Sequence, residues 1–195
     1  MKNRIITISR QFGSGGRTIG NQLAEKLGIP CYDSILIEKL AQKSGFAKEY
    51  IEEQGEYTSH GNLFINALLS DNSAFIGTNQ DYLWQIQRKI ILDIAERESC
   101  IIVGRCADYI LKDVANCLTV FIHADMEKRA ERIIRVYGEN DQSPEKRLKD
   151  KDKRRSAYYR FYTDIEWGAV ENYNIALNSG VLGIEKCVEI IASAY

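Results

Sequence analysis

The sequence predicts an α/β protein, with an open, mostly parallel five-stranded sheet flanked by helices. Short apolar runs of strand length alternate with segments whose apolar residues recur every three or four positions, the pattern of strands joined by crossover helices. The first run also leads straight into a glycine cluster and then into an amphipathic segment, so the first strand-to-helix corner is glycine-rich. In such sheets ligands bind beyond the carboxyl ends of the strands, and that corner is the first such end.

The elements follow in order. Residues 4–9, RIITIS, are a β-branched strand. After the glycines, Ile19, Leu23 and Leu27 keep helical spacing until Gly28 and Pro30 stop it. Cys31 and Tyr32 form a short strand, and Asp33 or Ser34 caps a helix carrying Ile37, Leu40 and Ala41. From Gly45 to Asp81 glycines, Asn and Ser break the periodicity into short helices and mobile connections. Leu83, Ile86, Ile90 and Ile94 restore a helix, and Cys100–Val103 is a continuous apolar run, a strand buried on both faces and ended by Gly104. A second such strand, Cys117–Ile122, precedes a helix with Met126, Ala130, Ile133 and Ile134 on one face. A charge-dense segment follows at 143–160. The last unit is a strand at Asn174–Leu177 and a terminal helix bearing Ile184, Cys187, Val188 and Ile191.

At 195 residues the chain fits one domain, 1–195, large enough to bury a core without disulfides or a structural metal. Hydrophobic residues at 45% and charged residues at 27% exclude the disordered and fibrous classes. No stretch approaches the roughly 18 apolar residues of a membrane span, and the first residues lack a signal-peptide pattern, so a cytoplasmic protein without membrane partners is expected. A net charge of −1 gives no global attraction to nucleic acid. The five cysteines contain no C-x-x-C pair and the two histidines, His60 and His123, are far apart, so reduced thiols are expected in place of a zinc cluster.

The segment with the clearest chemistry is Gln11-Phe12-Gly13-Ser14-Gly15-Gly16-Arg17-Thr18. Glycines let backbone N–H groups approach phosphate oxygens, and the following helix N-terminus adds unpaired donors and the positive end of its dipole. The P-loop pattern G-x-x-x-x-G-K-[ST] is matched in context but departs twice, with Gln11 for the first Gly and Arg17 for the Lys. Thr18 keeps the hydroxyl that can hold Mg²⁺. Donor-phosphate contacts are therefore expected from Gly13, Ser14, Gly15, Gly16, Arg17 and Thr18, with Thr18 the metal ligand.

The run Ile8-Ser9-Arg10-Gln11-Phe12-Gly13-Ser14-Gly15-Gly16-Arg17, together with Tyr32-Asp33, Ile101-Ile102-Val103-Gly104-Arg105, the region of Arg154 and Arg155, and Tyr173-Asn174-Ile175-Ala176-Leu177-Asn178, resembles the cytidylate kinase-like family of P-loop proteins over nearly the whole chain. The resemblance implies a three-layer P-loop NTPase fold with a helical lid at about 143–163 and an acceptor-binding insert at about 45–81. It implies that Arg105 holds the acceptor's phosphate, in a Gly-Arg-Cys context where relatives have Gly-Arg-Asp, with Asp33 and Asp108 assigned to the same acceptor site. Orienting a Mg²⁺-bound water and a plain helix N-cap are the other readings of Asp33. The lid would bring Arg154, Arg155 and Arg160, alongside Arg17, onto the transferring phosphoryl group.

The implied activity is transfer of the γ-phosphoryl group of ATP, with Mg²⁺, to a nucleoside monophosphate, CMP or dCMP by resemblance. Two alternatives stand beside it: a nucleotide-binding sensor with weak or no turnover, and a kinase for another small acceptor. The basic stripe interleaved with Tyr158, Tyr159, Phe161 and Tyr162 also matches an RNA-stacking surface. At helical spacing, aromatics more often anchor a lid to the body.

Overall fold

A computed structural model describes residues 3–33 and 79–195, with side chains from residue 84 onward in the second stretch. The helix expected after Asp33 and residues 45–78 of the segment expected over 45–81 lie outside the described residues, whereas 79–81 open a helix that runs to Arg97.

Five strands, β1 (Arg4–Arg10), β2 (Cys31–Tyr32), β3 (Cys100–Val103), β4 (Asn116–His123) and β5 (Ile175–Asn178), form one sheet in the order β2-β3-β1-β4-β5. Every pairing in it is parallel. The chain leaves β1 toward β2 on one side and later crosses from β3 to β4 on the other. Central β1 is thus where the winding reverses, and a crevice opens beyond its carboxyl end. Ile8 is in register with both Val103 and Val120, so β1, β3 and β4 reach that edge together.

Helices cover both faces: α1 (Gly16–Leu27), α2 (Asn79–Arg97), α3 (Ala107–Leu111), α4 (Met126–Tyr137), α5 (Pro144–Thr163), α6 (Ser179–Leu182) and α7 (Ile184–Ala194). The period of two in β1 sends Ile5 to one face, against Ile91 and Ile94 of α2 and Leu111 of α3. It sends Ile6 and Ile8 to the other, against Ile19 and Leu23 of α1 and Val188 and Ile191 of α7. Each such side chain, when fully buried, contributes about 1.5–3 kcal/mol relative to exposure. The continuous apolar runs thus read correctly as strands buried on both faces.

Helix α1 stops at Gly28, whose φ of 65° and N–H bond to the Ala24 carbonyl close the last turn before Pro30. Helix α5 is polar nearly all round and needs its ends defined by caps. Ser143 accepts a hydrogen bond from the Lys146 N–H, Pro144 opens the first turn, and Leu148, Tyr158, Tyr159 and Thr163 are the buried anchors.

Helix α4 corrects one expectation. Met126, Ala130 and Ile133 pack inward with Phe12 and Leu148, but Ile134 is exposed and Arg129 is buried in its stead. At about 100° per residue, Ile134 lies one step round from Ile133, off the stripe formed by positions 126, 129, 130 and 133. Among the described residues no helix is long and apolar enough to cross a membrane.

Candidate functional site

The loop between β1 and α1 is shaped by its glycines and by its neighbours. Gly15 has φ 84°, and a methyl group there would collide with the Ile184 side chain, so only glycine allows this turn. By helical geometry the amides of Gly16, Arg17 and Thr18 have no intrahelical acceptor. All three residues line a cleft of about 560 Å³ beyond the carboxyl ends of β1 and β3.

The cleft wall is strongly basic. Arg10 ends β1, Arg17 lies in the first turn of α1, Arg105 follows β3 and Arg132 comes from α4; α5 adds Arg147, Lys151 and Arg155, spaced at four and eight residues and hence on one helix face. Asp33 is the carboxylate on this wall among the described residues. Such a surface selects a polyanion.

Several of these cations are positioned by specific contacts. Arg17 pairs through Nε with the Asp33 carboxylate. The Arg10 side chain crosses Gly16 and lays its guanidinium on Gly104: a methyl on Gly16 would stand 2.6 Å from Arg10 Cβ, and one on Gly104 would overlap Arg10 Nη1. Arg155 donates from Nη1 to the Arg10 carbonyl at 3.2 Å and lies 5.5 Å from the Phe12 ring centroid.

Arg105 sits in an unusual turn. Gly104, Arg105 and Cys106 have φ of 79°, 61° and 52°, three successive left-handed residues of which two carry side chains. Each non-glycine residue there costs on the order of 1–3 kcal/mol. Gln87 offsets this by donating to the Arg105 carbonyl at 2.9 Å, and Tyr158 in turn donates to Gln87 at 3.4 Å. The turn leaves Arg105 6% exposed on the cleft wall, with Nη1 lacking an acceptor among the described residues. That N–H is a desolvated donor suited to an anion.

Helix α5 is tied to the loop. Asp152 of α5 accepts the Phe12 N–H at 2.7 Å through one oxygen and Arg129 Nη1 at 2.6 Å through the other. Arg129 also donates to the carbonyls of Ala124 at 2.9 Å and Phe12 at 3.2 Å. At its other end α5 packs aromatics on the body, with Trp84 and Tyr162 stacked at 4.3 Å and Tyr158 edge-on to Trp84. These aromatics are anchors.

Several expected site residues are placed elsewhere. Ser14 is buried, its hydroxyl donating to the Gln11 and Ile122 carbonyls and its N–H to Gln11, so it braces the loop from behind. Asp108 lies beneath the cleft, accepting from the Tyr159 hydroxyl at 2.8 Å; burial pushes its carboxyl up, with the Tyr159 bond opposing. Arg154 is exposed beyond Phe12, and Arg160 is exposed outside the cleft because the aromatic face of α5 is turned inward at that level. Conversely, Arg10, Arg147, Lys151 and above all Arg132 were not singled out from sequence. The spacing of 147, 151 and 155 was a signal for the α5 stripe, whereas nothing local marks Arg132.

The Thr18 hydroxyl, expected to hold Mg²⁺, accepts a 2.8 Å hydrogen bond from Arg132 Nη2. Magnesium takes oxygen ligands at about 2.0–2.1 Å. A dication on this hydroxyl would therefore lie within about 5 Å of a guanidinium, unfavourable by on the order of 6 kcal/mol at an effective dielectric near 20. Among the described residues no group of three or more His, Cys, Asp or Glu side chains is placed to hold a metal. The donor set here does not fit Mg²⁺ at Thr18.

Residues 5–181 match a family described as cytidylate kinase-like. The cytidylate kinase of Archaeoglobus fulgidus is 31% identical over 194 residues, covering 97% of this chain and 93% of its own. A crystal structure of an uncharacterized protein from Eubacterium ventriosum superimposes with a TM-score of 0.73 at 26% identity, over 98% of each chain. Shikimate kinase from Bacteroides thetaiotaomicron is similar in fold, with a TM-score of 0.58 at 16% identity over 98% of this chain and 97% of that one. The sheet, glycine loop and flanking helices are those of a P-loop kinase.

Proposed function

The chain belongs to the cytidylate kinase-like family, and on that premise we propose that it transfers the γ-phosphoryl group of ATP to a nucleoside monophosphate, with CMP or dCMP the acceptor suggested by the Archaeoglobus relative. One observation supports this most: helix N-terminal amides, the Arg105 donor and the α5 stripe converge on a single basic cleft. The loop and Arg17 hold the donor phosphates in this reading, Arg105 with Asp33 orients the acceptor, and Arg155 with Arg147 and Lys151 neutralises the transferring group. An acceptor phosphate oxygen attacks in line as the bond from the γ-phosphorus to the bridging oxygen breaks and ADP departs. The nucleophile is already anionic, so positioning and charge neutralisation matter more than a general base. Family membership implies a divalent metal as well, and no step is assigned to it at Thr18.

A second reading, nucleotide binding with little turnover, is favoured by the Arg17–Asp33 pair, which engages the cation standing at the P-loop lysine position. A coupled ADP-release assay across nucleoside monophosphates and other small acceptors separates the two. Turnover on CMP or dCMP, reduced about a hundredfold or more by Arg155→Ala, is the expected result. Saturable ATP binding with no turnover on any acceptor would remove the kinase reading.

A further inference from the structure

P-loop phosphotransferases place a divalent cation between the loop Ser or Thr hydroxyl and an acidic group of the neighbouring strand. In this chain both places carry guanidinium groups, and the carboxylate on the cleft wall among the described residues, Asp33, is paired with Arg17. Arg132 reaches from α4 to donate to Thr18 Oγ1 at 2.8 Å, and its guanidinium also lies against Gly15, 3.3 Å from where a methyl group would stand. At the carboxyl end of β3, Val103 is followed by Gly104 and Arg105 with no carboxylate, and the absence of a side chain on Gly104 admits the Arg10 guanidinium. The two observations are independent: one is a hydrogen bond from α4, the other a close approach within the central strands.

Resting on the nucleotide-phosphate role proposed for the cleft, we propose that the cradle takes its polyphosphate ligand as the metal-free anion, with Arg132 at the loop hydroxyl and Arg10 over Gly104 supplying the charge that a dication supplies elsewhere. A fixed guanidinium offers directed donors matched to phosphate oxygens, and it is positioned before the ligand arrives. Magnesium on the ligand removes negative charge that these arginines would otherwise meet. It also competes for the oxygens nearest Thr18. The metal complex is therefore the poorer ligand for this site, whatever metal the later phosphoryl transfer uses.

The test is calorimetric titration of the full-length protein with ATP, and separately with inorganic tripolyphosphate, in EDTA and in excess Mg²⁺. Affinity in EDTA should exceed that in Mg²⁺ for both probes. Arg132→Ala should weaken binding in EDTA about tenfold or more, the loss of one charge-assisted contact, and bring a preference for Mg²⁺. Arg132→Lys should recover part of that loss, and a melting curve for each variant checks its fold. Gly104→Ala, which obstructs Arg10 without removing it, should weaken EDTA binding in the same direction. Binding in the wild type that is as tight or tighter with Mg²⁺ overturns this inference and leaves the kinase reading intact. Binding of neither probe under either condition overturns both.

Discussion

The clamp between α5 and the glycine loop makes a sharp prediction. Asp152 is 17% and Arg129 7% exposed at their side chains, and the carboxylate bridges the Arg129 guanidinium and the Phe12 N–H. Removing one partner of a buried ion pair costs about 3–5 kcal/mol, chiefly because the other charge is left uncompensated. Arg129 keeps its bonds to the Ala124 and Phe12 carbonyls, so Asp152→Ala falls at the lower end, about 3 kcal/mol. For a chain of this size that is a fall in Tm of about 6–12 °C, read by differential scanning calorimetry. Asp152→Asn retains an acceptor for Phe12 and should lose less. In a double-mutant cycle with Arg129→Ala, the two substitutions should be strongly non-additive. A fall in Tm below about 2 °C for Asp152→Ala, or additivity in the cycle, would refute the clamp.

Two further outcomes follow from the site. Arg105→Ala should raise the acceptor KM about tenfold or more while changing the ATP KM little if its desolvated Nη1 meets the acceptor's phosphate as proposed; equal changes in both would break that assignment. Asp108 is held above the ordinary carboxylate value of 3.8 by burial, so the folded state binds its proton more tightly than the unfolded chain does. The associated stability is fully present below the unfolded pKa and is lost as pH rises through the folded one, upward from about pH 4. Asp108→Asn should flatten that fall in Tm between pH 4 and 7 and leave the variant the more stable at pH 7; an unchanged slope would discount the buried carboxyl.

The apolar runs at β1, β3 and β4 and the glycine loop were legible because each is a local pattern. A continuous β-branched run dictates a strand buried on both faces, and a glycine cluster between a strand and an amphipathic segment dictates a turn that exposes amides. The α5 stripe was half legible: charge density at 143–160 pointed to the right helix, yet Arg154 and Arg160 were favoured over Arg147 and Lys151. The phase of a helix that is polar all round is set by the anchors it buries, here Leu148, Tyr158 and Tyr159. The misplaced Ile134 on α4 has the same origin, since its inward stripe is centred by packing on Phe12 and Leu148.

By itself, then, the sequence determined the order of strands and helices along the chain, the phosphate loop and the abundance of cations around it. Tertiary structure alone decided which cations face the loop and what they touch. Arg132 meets Thr18 across 114 positions and Asp152 meets Phe12 across 140, partners that no local pattern relates. Strand and turn preferences act over a few bonds, whereas the pairing of a guanidinium with a hydroxyl or a carboxylate with an amide depends on which side chains the folded sheet brings within about 3 Å.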